Sequence, residues 1–330
     1  MATRSWRGCK KKEEVIVDLE ARLEEIISLN QAGSPTDPKV KWTHMKPSDI
    51  GKAYELKWSE KLSNQTIKRL LKKLGYRNRR PRKELITGKS PYRSEQFKLI
   101  FYFAFLFSEM DNNPILSLDT KKKEKLGDLS RNGKVLSKEA PTTYDHDYAY
   151  LATGKIVPGG LYDMKLNEGY VSIGTNYETA AFIGDNLIDW WENYGIHYYP
   201  DATHLLLFCD CGGANGYRHH AFKKELQRVA RHMGIRIVVV HYPPYCSKWN
   251  PIEHRLFSQM HLQANGCVFH SYEQVKDIFQ ATSTKTGLKV FVRINPKIYQ
   301  IKLGIKKKDV DQKRILHHSE LPQFNYTILP

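Results

Sequence analysis

Three acidic residues stand in settings that could do chemistry. Asp119 closes the apolar run Pro114–Leu118, Asp210 closes Leu205–Cys209, and Glu253 follows Asn250, Pro251 and Ile252. Carboxylates are the hard oxygen ligands that Mg²⁺ takes. Two such ions about 3.5–4 Å apart can serve the attacking and the leaving oxygen of an in-line displacement at phosphorus. The protein must then bring acids from distant chain positions to one point, and strand ends are rigid places from which to do it. Each acid alone reads more readily as a turn or cap residue. Three of them in such contexts, within a basic chain, point to a two-metal site that cuts phosphodiesters.

The flanking residues extend this reading. The glycine-rich turn Gly212–Gly216 after Asp210 would let a backbone come close to a phosphate. Pro251 suits a first helical turn. Glu253 is thereby expected near the positive end of a helix, where a carboxylate stays ionised. Arg255 next to it suits a phosphate contact. Lys121, Lys122 and Lys123, beside the first acid, are expected to touch DNA phosphate, with a solvated loop as the alternative. Trp249 and Tyr245 could stack on a frayed base, core packing being the rival. His241 and His254 are possible proton handlers whose roles the sequence leaves open.

Several elements must position these acids. Strands are predicted at Ile115–Asp119, Gly169–Gly174, His204–Asp210 and Ile235–His241. Helical patterns fall between them at Tyr177–Tyr194 and Tyr217–Met233, with Gly195 and Gly234 where helix stops belong. This alternation predicts an α/β domain with a mixed sheet. The run Leu99–Phe107 (LIFYFAFLF) is too short to span a bilayer. It reads as a buried helix or strand leading into the first acid-bearing strand.

The amino-terminal part has a different character. Residues 13–29 carry Val15, Ile16, Leu19, Leu23, Ile26 and Ile27 at helical spacing, and Gly33-Ser34-Pro35 breaks this pattern. Residues 47–76 read as a helix-turn-helix. Pro47, Ser48 and Asp49 open one helix; Ser63 caps a second, which stops at Gly75. In that second helix Ile67, Leu70, Leu71 and Leu74 share a face, while Lys68, Arg69, Lys72 and Lys73 share the other. A basic arm follows, with Arg77, Arg79, Arg80, Arg82 and Lys83. Ten Lys or Arg and a single acid lie between Thr66 and Lys89. A groove-binding helix with a backbone-tracking arm fits this pattern. A solvated basic face, or a nuclear-localisation tract, is the rival.

The chain has 330 residues and a net charge of +17, which favours a polyanionic partner. Its five cysteines lack CxxC spacing and argue for a reducing compartment. A zinc site at Cys209, Cys211 and Cys246 is conceivable, but buried structural thiols are preferred. No signal peptide is visible.

The stretches SLDTKKKEKLGDLSRNGK, GLYDMKLNEGYVSIGTNYETA, CDCGGANGYRHHAFKKELQRVA, HYPPYCSKWNPIEHRLFSQM and SYEQVKDIFQATSTKTGLKV resemble the Rhodopirellula-type DDE transposases of bacterial insertion sequences. The resemblance spans about residues 41–330. It implies an RNase-H-like mixed β-sheet core flanked by helices, over 91–330 with a C-terminal extension. Ahead of it, a helix-turn-helix segment and basic arm are implied over 41–90, with residues 1–40 as helix and linker, the remnant of a longer DNA-binding region. It further implies that Asp119, Asp210 and Glu253 hold two Mg²⁺ or Mn²⁺ ions, cut the element's ends and join them to target DNA. Asp210 and Glu253 are separated by 42 residues, a gap this family tolerates. The implied partners are double-stranded DNA (terminal inverted repeats and target) and a second copy in a synaptic dimer, with no membrane. The implied location is the bacterial cytoplasm, at the nucleoid. Two alternatives are an inactive or truncated transposase-derived DNA-binding protein and an RNase-H-like nuclease.

Overall fold

The structure is a computed structural model that describes residues 16–33, 41–79, 90–244, 246 and 249–330. The chain forms two compact units, residues 1–85 and 86–330.

The first unit is built from helices α1 (Leu19–Ser28), α2 (Pro47–Trp58) and α3 (Asn64–Lys73), with a small pair of strands, β1 (Ala32–Gly33) and β2 (Lys41–Trp42). Leu23, Ile27, Ile50, Tyr54, Ile67 and Leu70 are fully buried between the helices. The helix starts follow the sequence signals. Pro47 opens α2, and the Ser63 hydroxyl accepts from the Thr66 amide at 3.1 Å, satisfying one of the free amides of α3. Gly75 adopts φ +84° after α3. The acidic side of α1 is used within the unit, since Glu20 pairs with Lys73 and Glu25 with Lys57.

The second unit is a nine-stranded mixed sheet with helices on both faces. Its strands are β3 (Ile115–Thr120), β4 (Glu124–Leu126), β5 (Gly154–Asp163), β6 (Glu168–Gly174), β7 (His204–Cys209), β8 (Arg236–His241), β9 (Lys289–Asn295), β10 (Ile315–His317) and β11 (Asn325–Ile328). The order is β10-β11-β8-β7-β3-β5-β6-β9, with β4 paired to β5. The centre, β3-β7-β8, is parallel, whereas β5 runs antiparallel to both β3 and β6.

Side-chain alternation divides the central strands between two cores. Leu205, Leu207, Leu116 and Leu118 face helices α5 (Ala180–Trp190) and α6 (His220–Met233). On the opposite face, Ile115, Leu206 and Phe208 meet helix α4 (Arg93–Ser108). Further along that face, Tyr162, Val171 and Ile173 meet the helix that carries Glu253.

Two expectations are corrected, and one strand is added. The run Leu99–Phe107 lies within α4 and is buried on one side only; Phe101 and Phe105 on the other side are 67% and 69% exposed. Gly195 does not stop its helix. The chain passes through a π-helical turn, Trp191–Gly195, into Ile196–Tyr198. A Cβ at Gly195 would lie 2.7 Å from the Trp191 ring, so glycine there permits close packing. Strand β5 is absent from the predicted set; it runs through Pro158, Gly159 and Gly160, residues that weaken a strand pattern. Glycine is needed at these positions, since a Cβ at Gly159 would stand 2.5 Å from Phe182 and one at Gly160 would stand 2.6 Å from Phe257.

Candidate active site

β3 and β7 are parallel neighbours, with Leu118 paired to Cys209. Asp119 and Asp210 therefore come next on adjacent strands, which lie about 4.8 Å apart. Counting from Phe208 and Ser117, both carboxylates fall on the sheet face away from α5 and α6. A helical segment lies across that same face. It starts at Pro251 and passes through a π-helical turn, Glu253–Phe257, into α7 (Ser258–Gln263). Ile252, Leu256, Phe257 and Met260 bury its apolar side against β5 and β6. Gly160, the cross-strand neighbour of Asp119, and Gly169 leave the space that Phe257 and Leu256 fill. Bare backbone on β5 and β6 thus lets the Glu253 helix settle close to the sheet.

Asn250 fixes the start of this segment on β3. It is fully buried. Its Oδ1 accepts from the Ser117 hydroxyl at 2.6 Å, and its Nδ2 donates to Asp119 Oδ2 at 3.0 Å. The Thr120 amide donates to Asp119 Oδ1 at 2.7 Å. Asp210 is held by the Gly212 amide and the Asn215 side chain, but its Oδ1 is buried with no hydrogen-bond partner. Behind it, the neutral ring of buried His241 donates from Nδ1 to the Asp210 carbonyl at 2.8 Å. Cys211 Sγ donates to the Tyr242 carbonyl at 2.8 Å. These contacts tie the turn after β7 to the end of β8.

The electrostatics are those of crowded carboxylates. Burial, then the neighbouring Asp210, and further Glu253 and Glu178, push Asp119 up to about 8. Burial, then Glu178 and Glu253, push Asp210 up to about 6. Burial also raises Glu253, contrary to the expectation that a helix end would keep it ionised. Desolvation opposes the charged form and here outweighs a helix-end effect of about 0.3–1 kcal/mol. Among the described residues, no group of three or more His, Cys, Asp or Glu side chains stands in position to hold a metal ion. The donor set nevertheless fits a hard dication. It has three carboxylates in mutual electrostatic range, one of them with an orphaned buried oxygen.

The Rhodopirellula transposase DDE domain model matches residues 22–330. The chain belongs to this family. It is a DNA transposase, an enzyme of the DDE type. The match begins at residue 22, inside α1 and ahead of the start expected near Lys41. The sheet with its flanking helices is also similar to solved structures of Mos1. The Mos1 strand transfer complex is 14% identical at a TM-score of 0.43, with 78% of this chain and 68% of that one covered. The mariner Mos1 paired-end complex with Mg is 13% identical at 0.44, covering 82% and 71%. The catalytic domain of Mos1 mariner transposase is 14% identical at 0.37, covering 58% and 81%. No curated protein matches the chain.

The basic residues of this transposase divide into several groups. Lys121 is buried and pairs with Glu124 at 2.6 Å, so it is not presented to a phosphate. Lys123 pairs with Glu178 at 3.0 Å, and Lys122 is exposed. Arg255 is exposed and lies beside the Tyr162 hydroxyl, two residues along from Glu253. In the first unit Lys68, Arg69, Lys72, Lys73, Arg77 and Arg79 are exposed. Lys73 is engaged by Glu20, and Arg77 donates to the Lys72 carbonyl at 2.8 Å. Arg80, Arg82, Lys83 and Tyr245 lie outside the described residues. Trp249 meets Phe97 edge-on. Cys209 and Cys246 are buried, as structural thiols are.

Sequence reasoning missed Glu178 and the bonding role of Asn250. Glu178 is a fourth acid acting on Asp119 and Asp210. It falls at the start of the helical pattern expected over Tyr177–Tyr194, where it reads as an ordinary first-turn acid, whereas the structure puts it just ahead of the cap Thr179. Asn250 stands before a proline, where it reads as a turn residue.

Proposed function

We propose that Asp119, Asp210 and Glu253 hold divalent cations, Mg²⁺ or Mn²⁺, and that the transposase uses them to cut the ends of its element and join them to target DNA. The observation that supports this reading is the pairing of Asp119 and Asp210 at the ends of two parallel neighbouring strands, with Glu253 close enough to raise the pKa of both. Bound there, two such ions supply positive charge to the attacking and departing oxygens at phosphorus. The chain's own residues set the frame. Asn250 and the Thr120 amide orient Asp119, and His241 steadies the turn that carries Asp210. Burial pushes Asp119, Asp210 and Glu253 toward their neutral forms, so cation binding displaces protons from the site.

The DNA partner is read from charge. The exposed row Lys68, Arg69, Lys72 on α3 suits the phosphates of duplex DNA. The element's terminal repeats would be bound by the first unit and cut by the second, with two copies bringing two ends together.

The deciding assay uses duplexes carrying the element's own ends. Nicking and strand joining should require Mg²⁺ or Mn²⁺ and should disappear in Asp210→Asn. If that variant cut the ends as well as the wild type, the assignment of the three acids would fall.

A further inference from the structure

Helix α4 is apolar almost all round, yet among the described residues of its own unit only one side of it is covered. Leu99, Ile100, Phe103 and Phe107 pack against the sheet. Phe101, Tyr102, Phe105 and Leu106 are 67%, 54%, 69% and 40% exposed. An apolar patch of this kind on a folded unit marks a surface meant to be covered, and a helix hydrophobic on every side is ordinarily buried.

Charge decides what covers it. At about 100° per residue, Lys98, Tyr102, Phe105 and Glu109 fall in one narrow stripe, with Phe101 and Leu106 on its flanks. Lys98 and Glu109 are exposed, and neither has an ion-pair partner among the described residues. A two-fold axis through the midpoint of this stripe, between Phe103 and Ala104 in the C-terminal half of the helix, lays a second α4 antiparallel on the first. Lys98 of each copy then faces Glu109 of the other, Phe101 faces Leu106, and Tyr102 faces Phe105. The stripe is self-complementary in both charge and apolarity, which is what an isologous contact requires. Stable interfaces bury about 1,600 Å² in total, more than one helix pair supplies. The apolar surface does continue, from Leu106 along a cleft of about 330 Å³ lined by Phe103, Phe107 and His318, to Leu316, which is 52% exposed.

We infer that α4 is a homodimer interface: two copies of this chain associate through antiparallel α4 helices, with Lys98 set against Glu109. The contact needs neither DNA nor metal, so it stands or falls separately from the cleavage reading.

The test is sedimentation of the full chain over a concentration series, without DNA or divalent cations. Wild type should dimerise. Phe105→Glu should be monomeric with an unchanged far-ultraviolet circular dichroism spectrum, the position being exposed. Lys98→Glu and Glu109→Lys should each weaken association about tenfold, because each puts two like-charge pairs into the symmetric contact. The double variant K98E/E109K should recover to within about threefold of wild type. A monomeric wild type overturns the inference, including one in which hydrogen exchange shows this face of α4 protected by the rest of its own chain. So does a dimer indifferent to Phe105→Glu, or a double variant no better than the single ones.

Discussion

The two faces of the central sheet are built on different terms. Toward α5 and α6, the strands present Leu116, Leu118, Leu205 and Leu207 to an apolar core. Toward the Glu253 helix, the same strands present Ser117 and Asp119, joined to Asn250 by hydrogen bonds. The first face gains its stability from closeness of packing. The second gives up part of that gain to hold carboxylates where water is scarce. The difference teaches where function costs stability: on one face of one layer, next to a face that makes good the loss.

Substitutions can sharpen or break this contrast. Asp210→Asn should lower end cleavage by about 10³-fold or more, as expected when a cation worth several kcal/mol of transition-state stabilisation is lost. It should leave the apo fold at least as stable, because a crowded charge has gone. A melting curve beside the cleavage rate checks both. Leu207→Ala, on the apolar face, should reverse that pattern. It should cost about 2–5 kcal/mol of stability by denaturant titration, with the cleavage rate per folded molecule kept. A rate loss there matching that of Asp210→Asn would end the division between the faces.

Asn250→Ala should affect both quantities. The Ser117 hydroxyl would lose its buried acceptor, at about 1–3 kcal/mol, and cleavage should fall about 10²-fold as Asp119 loses its orienting partner. Gly160→Ala should cost about 1–3 kcal/mol through overpacking against Phe257, with a smaller drop in rate. A rate equal to wild type would show that the helix does not need this closeness.

The mildest effect is on pH. Asp119 and Asp210 have folded-state pKa values above their ordinary ones. Their contribution to stability is therefore complete below about pH 4 and is lost as pH rises toward about 8. In EDTA the melting temperature should decline across that window. Mg²⁺ or Mn²⁺ should restore it, more at pH 8 than at pH 5. A flat profile unaffected by either cation would count against crowding of the acids.

Much of this was legible in the residues. Asp119 and Asp210 could be found because each ends an unbroken apolar run, and Ser63 and Pro47 announced their helices. Strand β5 could not be found, because Gly159 and Gly160 are required by rings that arrive from Phe182 and Phe257, distant in sequence. The rise in the Glu253 pKa was hidden for a similar reason. Its neighbours in sequence suggest a helix end, while burial against distant elements sets its charge. The burial of Lys121 depends on Glu124 and Arg131 closing an ion-pair cluster around it.

The stretch between Asp210 and Glu253 holds α6 and β8, and α6 runs along the outer side of the sheet. Its ends are fixed by β7 and β8, but its length is not set by the acids. A whole turn added to α6 and balanced in the return loop would lengthen the gap by several residues and leave both carboxylates in place. The count of residues between the second and third acids is thus a property of the scaffold's outer layer. Lengthening it would alter only that layer, whereas shifting β3 against β7 would separate Asp119 from Asp210.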